Sequence, residues 1–148
     1  MNEDLSELLS SLKSNQVEFL VIGAHAVGFY VRPRMTEDLD LWIGRARDNA
    51  DRFRDAMKEF GAPIGDEGAR RFAELDRQML RIGVPPNMVD MLNFAGPTPF
   101  DEVYSRRVEG KLEGFEVFFP SREDLIEIKR AAGRKQDLAD IEKLERSE

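Results

Sequence analysis

The run Thr36-Glu37-Asp38-Leu39-Asp40-Leu41-Trp42-Ile43 constrains this chain more than any other. Leu39, Leu41 and Ile43 alternate as one face of a β-strand does, so Asp38 and Asp40 project together from the opposite face. Aspartate is disfavoured in strands, and like charges side by side repel one another. Any fold for this chain must therefore seat a strand with one apolar face and one doubly charged face. A divalent cation turns that repulsion into ligation, because hard cations such as magnesium take carboxylate oxygens.

The rest of the chain supplies the frame. Its 148 residues suffice for one domain with a real core and are few for two. With 41% hydrophobic and 34% charged residues it has the composition of a globular domain. It has no cysteine, which excludes disulfides, zinc–thiolate sites and thiol catalysis. The first thirteen residues are acidic and lack the apolar stretch of a signal peptide, and the longest apolar stretch, residues 19–30, is too short to span a bilayer. No membrane association and a cytoplasmic location are the resulting expectations. The net charge of −7 gives no general attraction for a nucleic-acid backbone.

Periodicity predicts an amphipathic helix on Leu5, Leu8, Leu9 and Leu12, then a buried strand over residues 17–22. Gly23 falls at a strand-to-helix turn, before a short helix over 24–30. The strand bearing the aspartates spans 37–43, and a long helix over 45–60 follows. Gly and Pro mark 61–68 as a loop, with a short helix at 69–75. Residues 78–82 and 87–92 read as strands, 100–105 as one or two helical turns, and 107–111 with 115–119 as a hairpin about Glu113-Gly114. Ser121 opens a helix, with Asp124 completing a cap, and Gly133 ends it. A last helix over 135–146 is expected to turn Leu138, Ile141 and Leu144 inward. The fold class is α/β (α+β): a mixed sheet flanked by helices, with a core over about residues 1–120 and a C-terminal helical pair over about 121–148.

Asp90, in Asn87-Met88-Val89-Asp90-Met91-Leu92, is a third carboxylate inside an apolar strand. Such a group must be paired, hydrogen-bonded or metal-bound. It converges on Asp38 and Asp40 if its strand lies beside theirs; otherwise it caps a loop or pairs with an arginine. Gly23-Ala24 at the helix start suits either close approach of backbone N–H groups to a phosphate or an ordinary tight turn. His25, the only histidine, reads as a proton carrier or phosphate contact, or as a packed or surface residue. Lys129 offers a point charge for phosphates or snorkels to the surface, and Trp42 stacks on a base or packs in the core.

These residues in this order resemble the nucleotidyltransferase superfamily typified by DNA polymerase β. That pattern is a Gly-Ser or Gly-Gly turn, an Asp-x-Asp on the next strand, and a third acidic residue on another strand. The runs from Phe19 through Gly23-Ala24-His25 and from Arg34 through Asp38-Leu39-Asp40 look like small bacterial nucleotidyltransferase-like proteins. Val89-Asp90-Met91-Leu92 and the Lys129, Arg134, Asp137, Asp140 spacing match their later segments. These proteins are related to minimal nucleotidyltransferases and to the nucleotidyltransferase toxins of abortive-infection systems. Ala24 departs from the pattern: it keeps the backbone N–H but lacks the serine hydroxyl.

The resemblance implies transfer of a nucleoside monophosphate from a nucleoside triphosphate, such as ATP, to a hydroxyl. The acceptor would be a protein, an RNA or tRNA end, or a small molecule. Asp38, Asp40 and Asp90 would be the catalytic carboxylates and hold two Mg2+ or Mn2+ ions. Gly23, Ala24, Arg34 and Lys129 would bind the nucleotide, and Asp137 and Asp140 would orient Lys129 or Arg134. The alternative it leaves open is a non-catalytic regulator that binds a nucleotide or a cognate toxin or antitoxin.

Overall fold

The structure, a computed structural model, describes residues 3–33 and 38–147. It opens with helix α1 (Glu3–Ser14), strand β1 (Phe19–Ile22) and helix α2 (Gly23–Tyr30). Then come β2 (Leu39–Ile43), α3 (Arg47–Phe60), α4 (Gly65–Glu74), β3 (Met79–Ile82) and β4 (Val89–Leu92). The chain ends with α5 (Phe100–Ser105), the hairpin β5 (Val108–Leu112) and β6 (Phe115–Phe119), and helices α6 (Arg122–Ala132) and α7 (Lys135–Arg146). This is the mixed α/β architecture with a C-terminal helical pair that the pattern predicts.

Four strands form one sheet in the order β1-β2-β4-β3. β1 and β3 run antiparallel to their neighbours, whereas β2 and β4 are parallel. The alternation in β2 sorts the two faces. Leu39, Leu41 and Ile43, with Val89 and Met91, pack against Leu5, Leu8, Leu9 and Leu12 of α1 and Phe53 and Met57 of α3. On the other face Trp42 joins Leu20, Ile22, Phe100 and Val103 in a smaller cluster. Trp42 is therefore a core residue, 2% exposed and edge-on to Phe100. Only the part of this face toward β4 and β3 is left for a cleft.

Two buried asparagines fasten the sheet margins. Asn49 accepts the N–H of Glu18 and donates to the carbonyls of Glu18 and Gly44. Asn93 accepts the N–H of Gln78 and donates to the carbonyls of Phe72 and Leu75. Both amides are thus satisfied where a buried polar group would otherwise be costly. The β5–β6 turn has positive φ at Glu113 (51°) and Gly114 (87°), as a two-residue hairpin of right-handed twist requires.

Three expectations are corrected. Residues 61–68 are not wholly loop, since α4 begins at Gly65; Asp66 and Glu67 favour its N-terminus, and Arg70 and Arg71 pair back to Glu67. Asp38 precedes β2 rather than lying within it. Leu138 is 55% exposed, and α7 instead turns Asp137 and Asp140 inward beside Ile141 and Leu144. The predicted cap of α6 holds: Ser121 Oγ accepts the N–H of Asp124 at 3.1 Å. Among the described residues no helix is long and apolar enough to cross a membrane.

Candidate functional site

The parallel pairing of β2 with β4 makes Asp40 and Asp90 direct partners across the sheet. Adjacent strands lie ~4.8 Å apart, so two carboxylates share one small patch of the open face. Ile22 is the partner of Asp40 on the other side, which brings Gly23 against the same carboxylate. Gly23 has φ of +71°, and a Cβ there would collide with Asp40 Oδ2 and lie 3.1 Å from Asp40 Cβ and Cγ. Glycine is required at this position on two counts: the left-handed backbone and the close approach.

Asp40 and Asp90 line a cleft of about 560 Å³ whose far wall is the α6–α7 corner. Burial, then the neighbouring charge of Asp90, raises the pKa of Asp40 above the ordinary carboxylate value, against the opposing pull of Lys129 and Arg134. Ionised Asp40 is therefore disfavoured first by loss of solvent and then by the like charge beside it. Asp90 already has a partner: Arg81, its neighbour on β3, grips it with Nε at 2.8 Å and Nη2 at 3.1 Å. Asp38 Oδ1 accepts the backbone N–H of Met88 at 3.1 Å, tying the entry of β2 to that of β4. The structure thus brings Asp40 and Asp90 together, while Asp38 is turned to the backbone. Among the described residues no three acidic or histidine side chains form a ready-made metal cluster.

The expected nucleotide-binding residues divide in the same way. Gly23 and Lys129 line the cleft with Asp40. Ala24 and His25 line a separate cleft of about 490 Å³ with Phe29 and Lys111. Arg34 lies outside the described residues. Lys129 is neither at the surface nor an unengaged charge. Its side chain is 8% exposed, and Nζ lies 3.2 Å from Asp137 Oδ1 and 3.1 Å from Asp140 Oδ2, both aspartates having no exposure. Arg134 adds a 2.7 Å bond from Nε to Asp137. Burial pushes the Asp137 carboxyl up, but the hydrogen bonds from Arg134 and Lys129 outweigh it and hold the group below its ordinary value.

Two residues were missed in the sequence: Arg77, which lines the cleft, and Arg81, which grips Asp90. Arg81 shares the exposed face of its strand with Met79, a signal that only a known pairing with Asp90 makes readable. The Gly23 geometry gives a direct check. Gly23→Ala is expected to cost about 1–3 kcal/mol of stability, the range for a strained backbone position, and to displace the Asp40 carboxylate. A lowered denaturant midpoint measures the first effect, and loss of Mg2+-dependent nucleotide binding the second.

The fold resembles that of a solved structure. A lincosamide antibiotic adenylyltransferase, LnuA, solved with lincomycin bound, is similar with a TM-score of 0.52 at 10% identity. The match covers 99% of this chain and 97% of that one, and at this identity it speaks for a shared fold. No curated protein sequence matches the chain. A strand-to-helix glycine set against an acidic pair on adjacent strands accords with a family match that runs from residue 1 to residue 148, and the chain belongs to the family described as nucleotidyl transferase of unknown function (DUF2204).

Proposed function

We propose that this protein transfers a nucleoside monophosphate from a nucleoside triphosphate to a hydroxyl group, with a divalent cation held at Asp40 and Asp90. The observation that carries this reading is the Asp40–Asp90 pair, set on neighbouring strands against a glycine that leaves the site uncovered. The donor chemistry fits a hard cation, since both ligands are carboxylates and burial, then the like charge of Asp90, raises the pKa of Asp40. Asp38 has a second carboxylate oxygen to add beside the one bonded to Met88. The chemistry supplied by a cation bound there is neutralisation of the transferring phosphate and acidification of the attacking hydroxyl.

The protein's own groups have separable tasks. Gly23 lets the phosphates approach the backbone at the start of α2. Asp90, beside Asp40, is placed to receive the proton of the acceptor hydroxyl once Arg81 is displaced from it. Lys129 and Arg134, held by Asp137 and Asp140, face the cleft and favour the ionised form of Asp40. On the pattern of the sequence, Arg34 and Ala24 remain assigned to the nucleotide and Asp38 to the cation. The acceptor is a protein, an RNA end or a small molecule, the last being the class that LnuA acts on.

One observation favours a second reading, a regulator that binds a nucleotide or a toxin or antitoxin partner without turnover. It is the bidentate hold of Arg81 on Asp90, which occupies a carboxylate that the transfer reaction needs. Incubation with radiolabelled nucleoside triphosphates, Mg2+ or Mn2+, and pooled protein, RNA and small-molecule acceptors separates the two. Transfer of label by the wild type and its loss in Asp40→Asn is the expected result. Nucleotide binding with no label on any acceptor class would instead establish the regulator.

A further inference from the structure

We propose that Arg77 is the base-reading residue of the cleft and selects nucleobases with a keto edge, guanine above all, over adenine. This rests on the nucleotide-transfer reading above and deepens it. Asp90 and Leu92 lie on the same side of β4, and Phe94, two residues past its end, lines the same cleft. At ~3.3 Å per residue, the end of β4 at Leu92 is ~7 Å from Asp90, and Phe94 lies beyond it. Arg77 meets it there, its guanidinium carbon 4.3 Å from the centre of the Phe94 ring. Both residues line the cleft that holds Asp40 and Asp90.

The placement of Arg77 is built rather than incidental. Its φ is 55°, a left-handed conformation that a non-glycine residue adopts at a cost. The surrounding bonds hold it there. Asn93, 2% exposed, fixes Leu75 before it and Gln78 after it. Arg45 donates to the carbonyl of Leu75 at 3.1 Å and pairs with Asp76 at 2.9 Å. Backbone strain held in place by a buried asparagine, at a residue facing a cleft, calls for a ligand-directed explanation.

The chemistry of the fork supplies it. Of the cations lining the cleft, Lys129 and Arg134 are paired with aspartates, whereas Arg77 has no carboxylate partner among the described residues. Stacking on Phe94 engages the flat face of the guanidinium and leaves its N–H groups in the plane of the fork. Much of the remaining cleft lining is small or apolar: Leu92, Ala95, Gly96, Ile128, Ala131 and Ala132. That slot suits a flat base whose 5′-phosphate lies at Asp40 and Asp90 and whose edge meets Arg77. A guanidinium only donates, so it pairs with O6 and N7 of guanine in bidentate fashion, and with O4 of uracil singly. The exocyclic amines of adenine and cytosine present donors to it instead.

The test is equilibrium binding of GTP, ITP and ATP, each with Mg2+, to the full chain and to Arg77→Ala and Arg77→Gly. ITP shares O6 and N7 with GTP but lacks its 2-amino group, so it isolates the edge that Arg77 reads. The glycine variant removes the guanidinium while relieving the positive φ, so its fold is kept. GTP and ITP are expected to bind the wild type about tenfold or more tighter than ATP, the worth of one bidentate pair. Both variants should bring GTP and ITP down to the ATP level and leave ATP unchanged. Equal affinities in the wild type, a preference that survives in Arg77→Gly, or an equal weakening of all three nucleotides would overturn the base-reading role alone. Failure of the wild type to bind any of the three would overturn it together with the transfer reading beneath it.

Discussion

Asp40→Asn is expected to stabilise the protein while abolishing nucleotidyl transfer. Ionised Asp40 is penalised in the folded state by its burial and by Asp90 beside it, which is why its pKa stands above the ordinary value of 3.8. The sign follows from linkage. Below the ordinary value Asp40 is protonated in both folded and unfolded chains, and the wild type loses nothing. As pH rises through the raised folded value, the unfolded chain ionises more readily, and wild-type stability is lost relative to a neutral side chain. The Asn variant should therefore unfold at a higher denaturant concentration at neutral pH, and the difference should vanish in strong acid. Transfer should fall by roughly 10²–10³-fold or more, since asparagine supplies neither the charge nor the second anionic oxygen. In the wild type, cation binding must displace the proton of Asp40, so Mg2+ affinity should rise with pH beyond the ordinary carboxylate range. A variant both inactive and less stable would mean that Asp40 holds the sheet together rather than a ligand.

The sequence was most legible where a single element carries its own signal. Alternation of Leu39, Leu41 and Ile43 located β2, the Leu5 to Leu12 spacing located α1, and Ser121 with Asp124 located the start of α6. The position of Gly23 at a turn was also readable, but not its contact with Asp40, which depends on the register of β1 against β2. Asp90 needed more still. Its place beside Asp40 follows from a parallel pairing between strands fifty residues apart, and no local pattern encodes which strands become neighbours. Arg81, one strand further, was hidden for the same reason. Leu138 misled because an apolar count assumes that inner faces are apolar. Here two aspartates take the inner positions, and a lysine on another helix compensates them.

That compensation makes Lys129 the most consequential charge outside the carboxylate pair. Lys129→Met is expected to cost about 3 kcal/mol of stability, the low end for removing one partner from a buried ion pair. Asp137 and Asp140 would remain without exposure, one with Arg134 and the other with the 2.9 Å bond from Gln136, but both short of the ammonium that bridges them. The retained partners are the reason for the low end of the range. In a chain of this size such a loss corresponds to roughly 6–12 °C in melting temperature. The double variant Lys129→Met/Asp140→Asn should recover part of it, because the neutral amide no longer needs a counter-charge. A double-mutant cycle over the two sites then reads the coupling directly. The same substitution withdraws positive potential from Asp40, so its pKa should rise further in Lys129→Met. A carboxyl NMR titration of Asp40 measures that shift, and one that left Asp40 unmoved would separate the helical clamp from the electrostatics of the cleft. If the melting temperature is also unchanged, Lys129 is not the cation that holds α6 to α7.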